Sequence, residues 1–239
     1  MTTEQLFLYD SYRREFQGKV IKKDGKEIIL DKTIFHPITG GVAHDTGYIQ
    51  QGEIRYRVER VKLNKENKNI RHILEEEPTL KIGDTVTGII DWNRRYKLMR
   101  LHTAAHLLAA IMYRDYNALI TGGQVDYQHA KLDFNLQKTD RKIFIDAVEK
   151  ANEAVKKKIP LKIYFLSREE ALKIPGVVKL AQKMPPEEKR LRIVEIPGID
   201  LQADGGPHVK NTEEVGEILL VKVQNKGKNR RRIYFDVKS

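Results

Sequence analysis

The hydrophobic pattern of the chain changes abruptly near residue 92, and this change limits the folds that the sequence can adopt. Before this point, short apolar runs alternate with Gly, Asn or Asp, and Asp24-Gly25 in FQGKVIKKDGKEIIL is a hairpin signal. Many short strands at this spacing predict a small β-barrel or sandwich. After it, apolar residues follow a helical period, namely Leu98, Leu101, Ala105, Leu108 and Met112.

The rest of the chain mixes helices with strands. Asp91 or Asn93 can cap the first helix, and Thr139 or Asp140 can open the next one, in TDRKIFIDAVEKANEAVKKK. The segment GEILLVKVQNKGKNRRRIYFDVK ends the chain as a hairpin. This order fits an α+β or an α/β domain, and we predict α+β with a central antiparallel sheet.

Length and composition bound the class of protein. A chain of 239 residues suits one large domain or two modest ones, and we place the boundary between 1–91 and 92–239. No apolar run approaches the roughly 20 residues that span a bilayer, and the N-terminus lacks a signal-peptide pattern, so we expect a cytoplasmic protein. The absence of cysteine excludes a thiolate nucleophile and every Cys-based zinc site.

The charge balance favours a polyanionic partner. The net charge is +11, from 44 Lys and Arg against 33 Asp and Glu. Such an excess favours contact with phosphates and release of their counterions, which points to nucleic acid. The alternative is a chain from a hot organism with many solvated charges.

A histidine pair lies on the predicted helix. His102 and His106 are four residues apart in HTAAH, so both imidazoles lie on one face and can reach one divalent metal. The metalloprotease pattern needs Glu after the first His, and Thr103 stands there, which disfavours that class. The spacing also arises by chance on ordinary helices.

A second pair of candidate ligands follows about a hundred residues later. Asp204 and His208 enclose Gly205 and Gly206, which permit backbone angles that turn both side chains toward one point. Carboxylate oxygen and imidazole nitrogen are both zinc ligands. Three histidines and one aspartate therefore fill a tetrahedral shell, unless water takes the place of Asp204.

These segments resemble the editing domain of alanyl-tRNA synthetases and its free-standing relatives, the AlaX proteins. LHTAAHLL followed by DGGPHV is similar to that family's His-x-x-x-His helix and its Cys-Gly-Gly-Thr-His-Val turn. FHPITGGVAHDTGYI (35–49), AKLDFN (130–135) and LRIVEIPGIDLQAD (191–204) also fit the family in order. The resemblance covers nearly the whole chain and indicates an AlaX protein of the intermediate-length type.

The resemblance implies an activity and a metal. AlaX proteins hydrolyse the ester bond of tRNA(Ala) mischarged with serine, and tRNA(Ala) mischarged with glycine is the second expected substrate. Such mischarging arises because a synthetase pocket rejects near-isosteres poorly. The three histidines match the family's zinc ligands. Asp204 stands where the family has cysteine, so another divalent metal is the alternative to Zn²⁺.

The resemblance also implies substrate-binding residues. Thr39, Gly40 and Gly41 match a glycine-rich segment that aids serine selection, and Thr121 and Gln124 resemble polar groups around the amino acid. For tRNA contact we expect the basic residues Lys226, Lys228, Arg230, Arg231, Arg232 and Arg100.

Two alternatives to this function stay open. One is a catalytically weak or inactive relative that only binds tRNA, and the other is an enzyme that edits another mischarged tRNA. The glycine-rich segment argues against the second. For the chemistry we favour an oriented, activated water, since Ser11 and Ser167 lie outside the motifs and no serine has an adjacent base.

Overall fold

The computed structural model describes residues 2–137, 140–174, 177, 188–227 and 229–238. The chain divides into two compact units, residues 1–97 and residues 98–239. Within the described part of the chain, every helix is too short or too polar to span a bilayer.

The first unit is built on a closed barrel. Its strands are β1 (Glu4–Gln5), β2 (Glu15–Asp24), β3 (Glu27–Leu30), β4 (Lys32–Thr33), β5 (Gly47–Gln51), β6 (Ile54–Leu63), β7 (Ile70–Leu74) and β8 (Thr85–Ile90). Six of them pair antiparallel in the order β2-β3-β7-β6-β5-β8, while β1 and β4 form a separate parallel pair. The predicted barrel is confirmed, and Gly25 with positive φ closes the predicted hairpin between β2 and β3.

Alternating side chains fill the barrel. Ile70, His72 and Leu74 alternate along β7 and are fully buried, as are Val58 and Val61 on β6. A charged pair also lies inside this unit: the guanidinium of Arg95 donates to both carboxylate oxygens of Asp45 at 3.0 and 2.5 Å. Arg95 also donates to the carbonyls of Ser11 and Ile34, so the buried charge is fully paired.

A long helix, α1 (Trp92–Tyr116), follows the barrel. The carboxylate of Asp91 accepts from the backbone N–H of Arg94 at 3.1 Å, so the first of the two predicted caps is the one used. All of residues 101–112 are buried. The helix is therefore covered on every side, not on one stripe, and its polar residues need partners inside the protein.

Two antiparallel sheets complete the second unit. The elements are β9 (Ile120–Val125), β10 (Ala130–Phe134), α2 (Arg141–Lys156), β11 (Lys162–Ser167), α3 (Arg168–Leu172), β12 (Arg190–Ile196), β13 (Asp200–Ala203), β14 (Ile218–Asn225) and β15 (Arg231–Val237). One sheet has the order β14-β15-β10-β9 and the other the order β11-β12-β13. The α+β class and the terminal hairpin are confirmed, and the sequence did not reveal β9, whose two glycines hide its strand pattern.

Asp140 caps α2 by accepting from the backbone N–H of Lys142 at 2.9 Å, whereas Thr139, the other predicted cap, lies outside the described residues. The buried side of α2 packs against the four-stranded sheet, where the rings of Phe144 and Phe134 lie 6.4 Å apart. This packing covers one face of that sheet.

Candidate metal centre

Helix α1 carries two of the four side chains that form the candidate metal centre. His102 and His106 lie one turn apart, and their rings meet edge to face with centroids 5.0 Å apart. Both are 5% exposed in the buried middle of the helix. Each imidazole has two polar nitrogens, so this burial requires partners on both sides of each ring.

The turn after β13 supplies the other two. Asp204 accepts from the backbone N–H of Gly206 at 2.7 Å through Oδ1, which fixes its carboxylate. The buried guanidinium of Arg192 donates to the carbonyls of Asp204 and Gly206, both at 2.9 Å. These bonds hold the turn in one shape and direct His208 toward α1.

The two glycines of this turn do not have the unusual backbone angles that the sequence led us to expect. Gly205 and Gly206 are not among the residues with positive φ, so an unusual backbone angle is not the reason for them. A Cβ on Gly206 would lie 2.6 Å from Cε1 of His102. Gly206 is therefore required for the close approach of the turn to the helix, and the prediction based on backbone freedom was wrong there.

The four side chains converge on one point. The carboxylate of Asp204 lies 3.3 Å from Nε2 of His208, 3.6 Å from Nε2 of His102 and 4.0 Å from Nε2 of His106. One ligand atom from each of the four lies within 4.8 Å of every other. Ligands around tetrahedral zinc, at bond lengths near 2.1 Å, lie roughly 3.4 Å apart. The group can therefore hold a metal ion with little movement.

The outer nitrogens of the three rings are all occupied. Nδ1 of His106 lies 2.9 Å from Oδ2 of Asp200, and Nδ1 of His102 lies 3.2 Å from the carbonyl of Pro207. Nδ1 of His208 lies 3.0 Å from the hydroxyl of Thr103. Donation from each Nδ1 leaves the lone pair of each Nε2 for a cation, an arrangement typical of metal-binding histidines.

Burial sets the protonation states that a metal needs. Desolvation lowers the pKa of His102 to about 4, and it lowers the pKa of His208 well below its usual range. Burial raises the pKa of Asp204, but the three neighbouring imidazoles outweigh this effect and keep the pKa well below its usual range. Neutral imidazoles and an ionised carboxylate are the forms that ligate metals.

Sequence reasoning did not find the residues that orient the ligands. Asp200 and Asp204 lie four residues apart along an extended segment, which places both on one side, and this spacing was the signal for Asp200. Thr103, a fully buried hydroxyl next to His102, gave no signal of its own. Arg192 had none either, since its partners are backbone carbonyls.

The glycine-rich segment forms a tight turn in the first unit. Thr39 and Val42 exchange backbone hydrogen bonds of 3.3 and 2.9 Å, and Gly40 and Gly41 have φ of +60° and +85° between them. Only glycine adopts two such angles in succession at little cost. Thr39 is half-buried, and both glycines are exposed.

The two other predicted substrate residues lie on β9. Thr121 and Gln124 are both exposed. Gln124 borders an open cavity of about 230 Å³ together with Asp126, Gln128, His129 and Lys131.

Two of the predicted tRNA-binding residues, Arg100 and Arg231, form hydrogen bonds within the protein. Arg100 donates to the carbonyls of Val215 and Lys238, which ties down the C-terminal strand. Arg231 is buried, where it donates to Asn225 and to the carbonyls of Gly227, Arg230 and Gln137. Carbonyls already accept hydrogen bonds from these two guanidiniums, and their direct contact with RNA stays a prediction.

The other cationic residues of the C-terminal hairpin are more exposed to solvent. Lys226 is exposed, and the side chain of Arg230 is 49% exposed. Arg232 is 17% exposed and pairs with Asp133 at 2.6 Å. Lys228 lies outside the described residues.

Comparisons with known proteins identify the relatives of this chain. The family described as "Threonyl and Alanyl tRNA synthetase second additional domain" matches residues 191–234, and "tRNA synthetases class II (A)" matches residues 3–94. The chain is 54% identical to the alanyl-tRNA editing protein AlaX-M of Saccharolobus solfataricus, over 99% of each chain. It belongs to the AlaX-M family of alanyl-tRNA editing proteins.

Other relatives agree with this membership. The AlaX-M protein of Methanosarcina barkeri is 40% identical over 98% of both chains. An alanine–tRNA ligase of Saccharolobus islandicus is 36% identical over 93% of this chain but only 25% of the ligase. The AlaX-M fold therefore corresponds to one segment of a much longer synthetase.

Proposed function

We propose that this AlaX-M protein is a trans-acting aminoacyl-tRNA deacylase that hydrolyses Ser-tRNA(Ala) first and Gly-tRNA(Ala) second. The observation that carries the proposal is the convergence of His102, His106, Asp204 and His208 in a chain of the alanyl-tRNA editing family. Hydrolysis at a second site is the general remedy when one pocket cannot reject a near-isostere.

We propose Zn²⁺ as the metal. Three imidazole nitrogens and one carboxylate oxygen make a donor set that zinc accepts in tetrahedral geometry. A carboxylate is harder than the thiolate that the resemblance leads one to expect, so Mn²⁺ or Co²⁺ are the competing ions. When bound, such an ion supplies a Lewis acid beside the ester and lowers the pKa of a nearby water.

The protein residues position this chemistry. The histidine side chains are 0 to 7% exposed, whereas that of Asp204 is 18% exposed, so the ester approaches from the Asp204 side. Asp200, Thr103 and the Pro207 carbonyl hold the three rings in one orientation. A covalent serine route is disfavoured, because the hydroxyl of Ser167 caps α3 and bonds to Glu170 at 2.6 Å.

The remaining roles extend this proposal to the substrate. We assign serine selection to Thr39, Gly40 and Gly41, and we assign hydrogen bonding of the amino acid to Thr121 and Gln124. We also assign 1–91 as the barrel domain and 92–239 as the editing domain. The exposed cations Lys226 and Arg230 are supported as phosphate contacts by their exposure and charge.

The test is deacylation of Ser-, Gly- and Ala-tRNA(Ala), with the wild type compared with His102→Ala and His106→Ala. The proposal expects rapid loss of serine, slower loss of glycine and stable Ala-tRNA(Ala), and it expects both variants to be inactive while they still bind tRNA. Wild-type protein that binds tRNA but hydrolyses none of the three esters would instead support the inactive relative. Hydrolysis of a different mischarged tRNA in preference to these would support the other editing alternative.

A further inference from the structure

The four-stranded sheet has two unlike faces. Leu132, Ile233 and Phe235 point toward the side covered by α2 and are buried. Their neighbours Lys131 and Tyr234 point to the opposite side and remain partly exposed. Since side chains alternate along a strand, this second face carries polar side chains on all four strands, with the exposed Leu219 on β14 as an apolar member.

Strand register aligns polar side chains across this second face. Lys131 on β10 is paired with Gln124 on β9 and with Tyr234 on β15, and Tyr234 is paired with Lys222 on β14. A register shift between Leu220 and Lys222 brings Lys222 into this row. With strands roughly 4.8 Å apart, the two lysines lie about 10 Å from each other. We call this row and its surroundings the cationic face.

The charges of the cationic face are unbalanced. Three carboxylates, Asp126, Asp133 and Asp236, lie on it, against five cations on it or at its hairpin end; the cations are Lys131, Lys222, Lys226, Arg230 and Arg232. Asp133 is already shared by Arg230 at 3.2 Å and Arg232 at 2.6 Å. A hydrogen bond from Arg232 lowers the pKa of Tyr234, and the charges of Lys131 and Lys226 act in the same direction.

Asp133 therefore organises the face without neutralising it. It holds Arg232 beside Tyr234, where the guanidinium carbon lies 5.9 Å from the ring centroid. His129 lies on the other flank, with its ring centroid 5.5 Å from that of Tyr234. Lys131 and Lys222 have no carboxylate within ion-pair distance among the described residues.

We propose that the cationic face binds the sugar–phosphate backbone of a tRNA stem, with Lys131 and Lys222 on phosphates and Tyr234 between them. The identification of the RNA as tRNA rests on the proposed function. Lysine ammonium groups suit phosphates, and the Tyr234 hydroxyl suits phosphate or ribose 2′-OH groups. Such contacts are independent of base sequence, so the face supplies affinity and orientation without base recognition.

The test compares two double variants of the full-length protein that lose equal charge. The first variant, Lys131→Gln with Lys222→Gln, removes both lysine charges from the cationic face. The second, Lys162→Gln with Lys173→Gln, removes two exposed lysine charges elsewhere on the second unit. Binding of uncharged tRNA(Ala) is measured by filter retention at several salt concentrations. Each lost phosphate contact lowers the slope of log Kd against log salt by roughly 0.7 to 0.9. We therefore expect the slope to fall by about 1.5 in the first variant and to stay unchanged in the second.

An equal slope in both variants would overturn the inference, as would binding of anionic vesicles by the wild type without any binding of tRNA. Chemical acetylation of lysines gives a second readout, in which tRNA protects Lys131 and Lys222 but not Lys162 or Lys173. Neither readout depends on ester hydrolysis. A wild type that binds tRNA through this face but cleaves no ester therefore contradicts the proposed function alone.

Discussion

The carboxylate of Asp200 lies 2.9 Å from Nδ1 of His106, on the side of the ring that faces away from the metal centre. Asp200 is 4% exposed, so this contact is shielded from water. A carboxylate at this position orients the ring and makes Nε2 a stronger ligand. The relationship joins β13 to α1 across 94 positions of sequence.

Asp200→Asn is expected to weaken metal affinity about 10- to 100-fold, because the ring loses a charged orienting partner. Competition with a fluorescent zinc chelator measures the change. Asp236→Asn, on β15, is the control and keeps wild-type affinity. Equal affinities of the Asp200 variant and the wild type would show that His106 does not ligate through Nε2.

Gly206→Ala is expected to displace His102 and to lower metal affinity at least tenfold, since the new Cβ would lie 2.6 Å from the imidazole. Gly122→Ala is the matched control, because its Cβ meets its nearest neighbour at an ordinary 3.4 Å. Zinc titration by calorimetry, with circular dichroism to confirm folding, checks both. A Gly206→Ala protein that binds zinc like the wild type contradicts the geometry of the turn.

Asp204→Cys is expected to tighten zinc binding, because a thiolate is a softer ligand in the same position. The change in affinity is measured by chelator competition with Zn²⁺ and again with Mn²⁺, for which no gain is expected. If the zinc affinity of the variant equals that of the wild type, Asp204 does not bind the metal and water occupies that position.

A buried histidine in the barrel gives a pH-dependent stability. Desolvation lowers the pKa of His72 to about 4, and Nε2 lies 2.9 Å from the hydroxyl of Thr33. The unfolded chain, with a pKa near 6.5, binds more protons than the folded chain in this window. The free energy of unfolding therefore falls as the pH drops from about 6.5 toward 4, by roughly 3 kcal/mol from this group.

His72→Gln is expected to remove that part of the pH dependence, even if the variant is less stable at neutral pH. Urea unfolding at intervals between pH 7 and pH 4 measures the difference, with the exposed His129→Gln as the control. If His72→Gln and the control lose stability in parallel on acidification, His72 is not buried in its neutral form.

The sequence could predict what depends on local periodicity and spacing. The change in hydrophobic period located the barrel and α1, and the four-residue spacings of His102 with His106 and of Asp204 with His208 predicted the clustered group. The orienting bond from Thr103 depends on the packing of the turn against α1, which no local pattern encodes, whereas the spacing of Asp200 from Asp204 was a local signal. The structural use of Arg100 and Arg231 was hidden for a related reason, since an arginine that binds distant carbonyls looks like a solvated cation in sequence.

A metal held by His102, His106, His208 and Asp204 is expected to be required for ester hydrolysis. The most direct measurement is the rate of Ser-tRNA(Ala) deacylation by protein stripped with chelator and then reloaded with one equivalent of Zn²⁺. We expect activity to be lost on stripping and to return on reloading in the wild type but not in His106→Ala. Full activity in the stripped protein, with no metal detected by mass spectrometry, would contradict it.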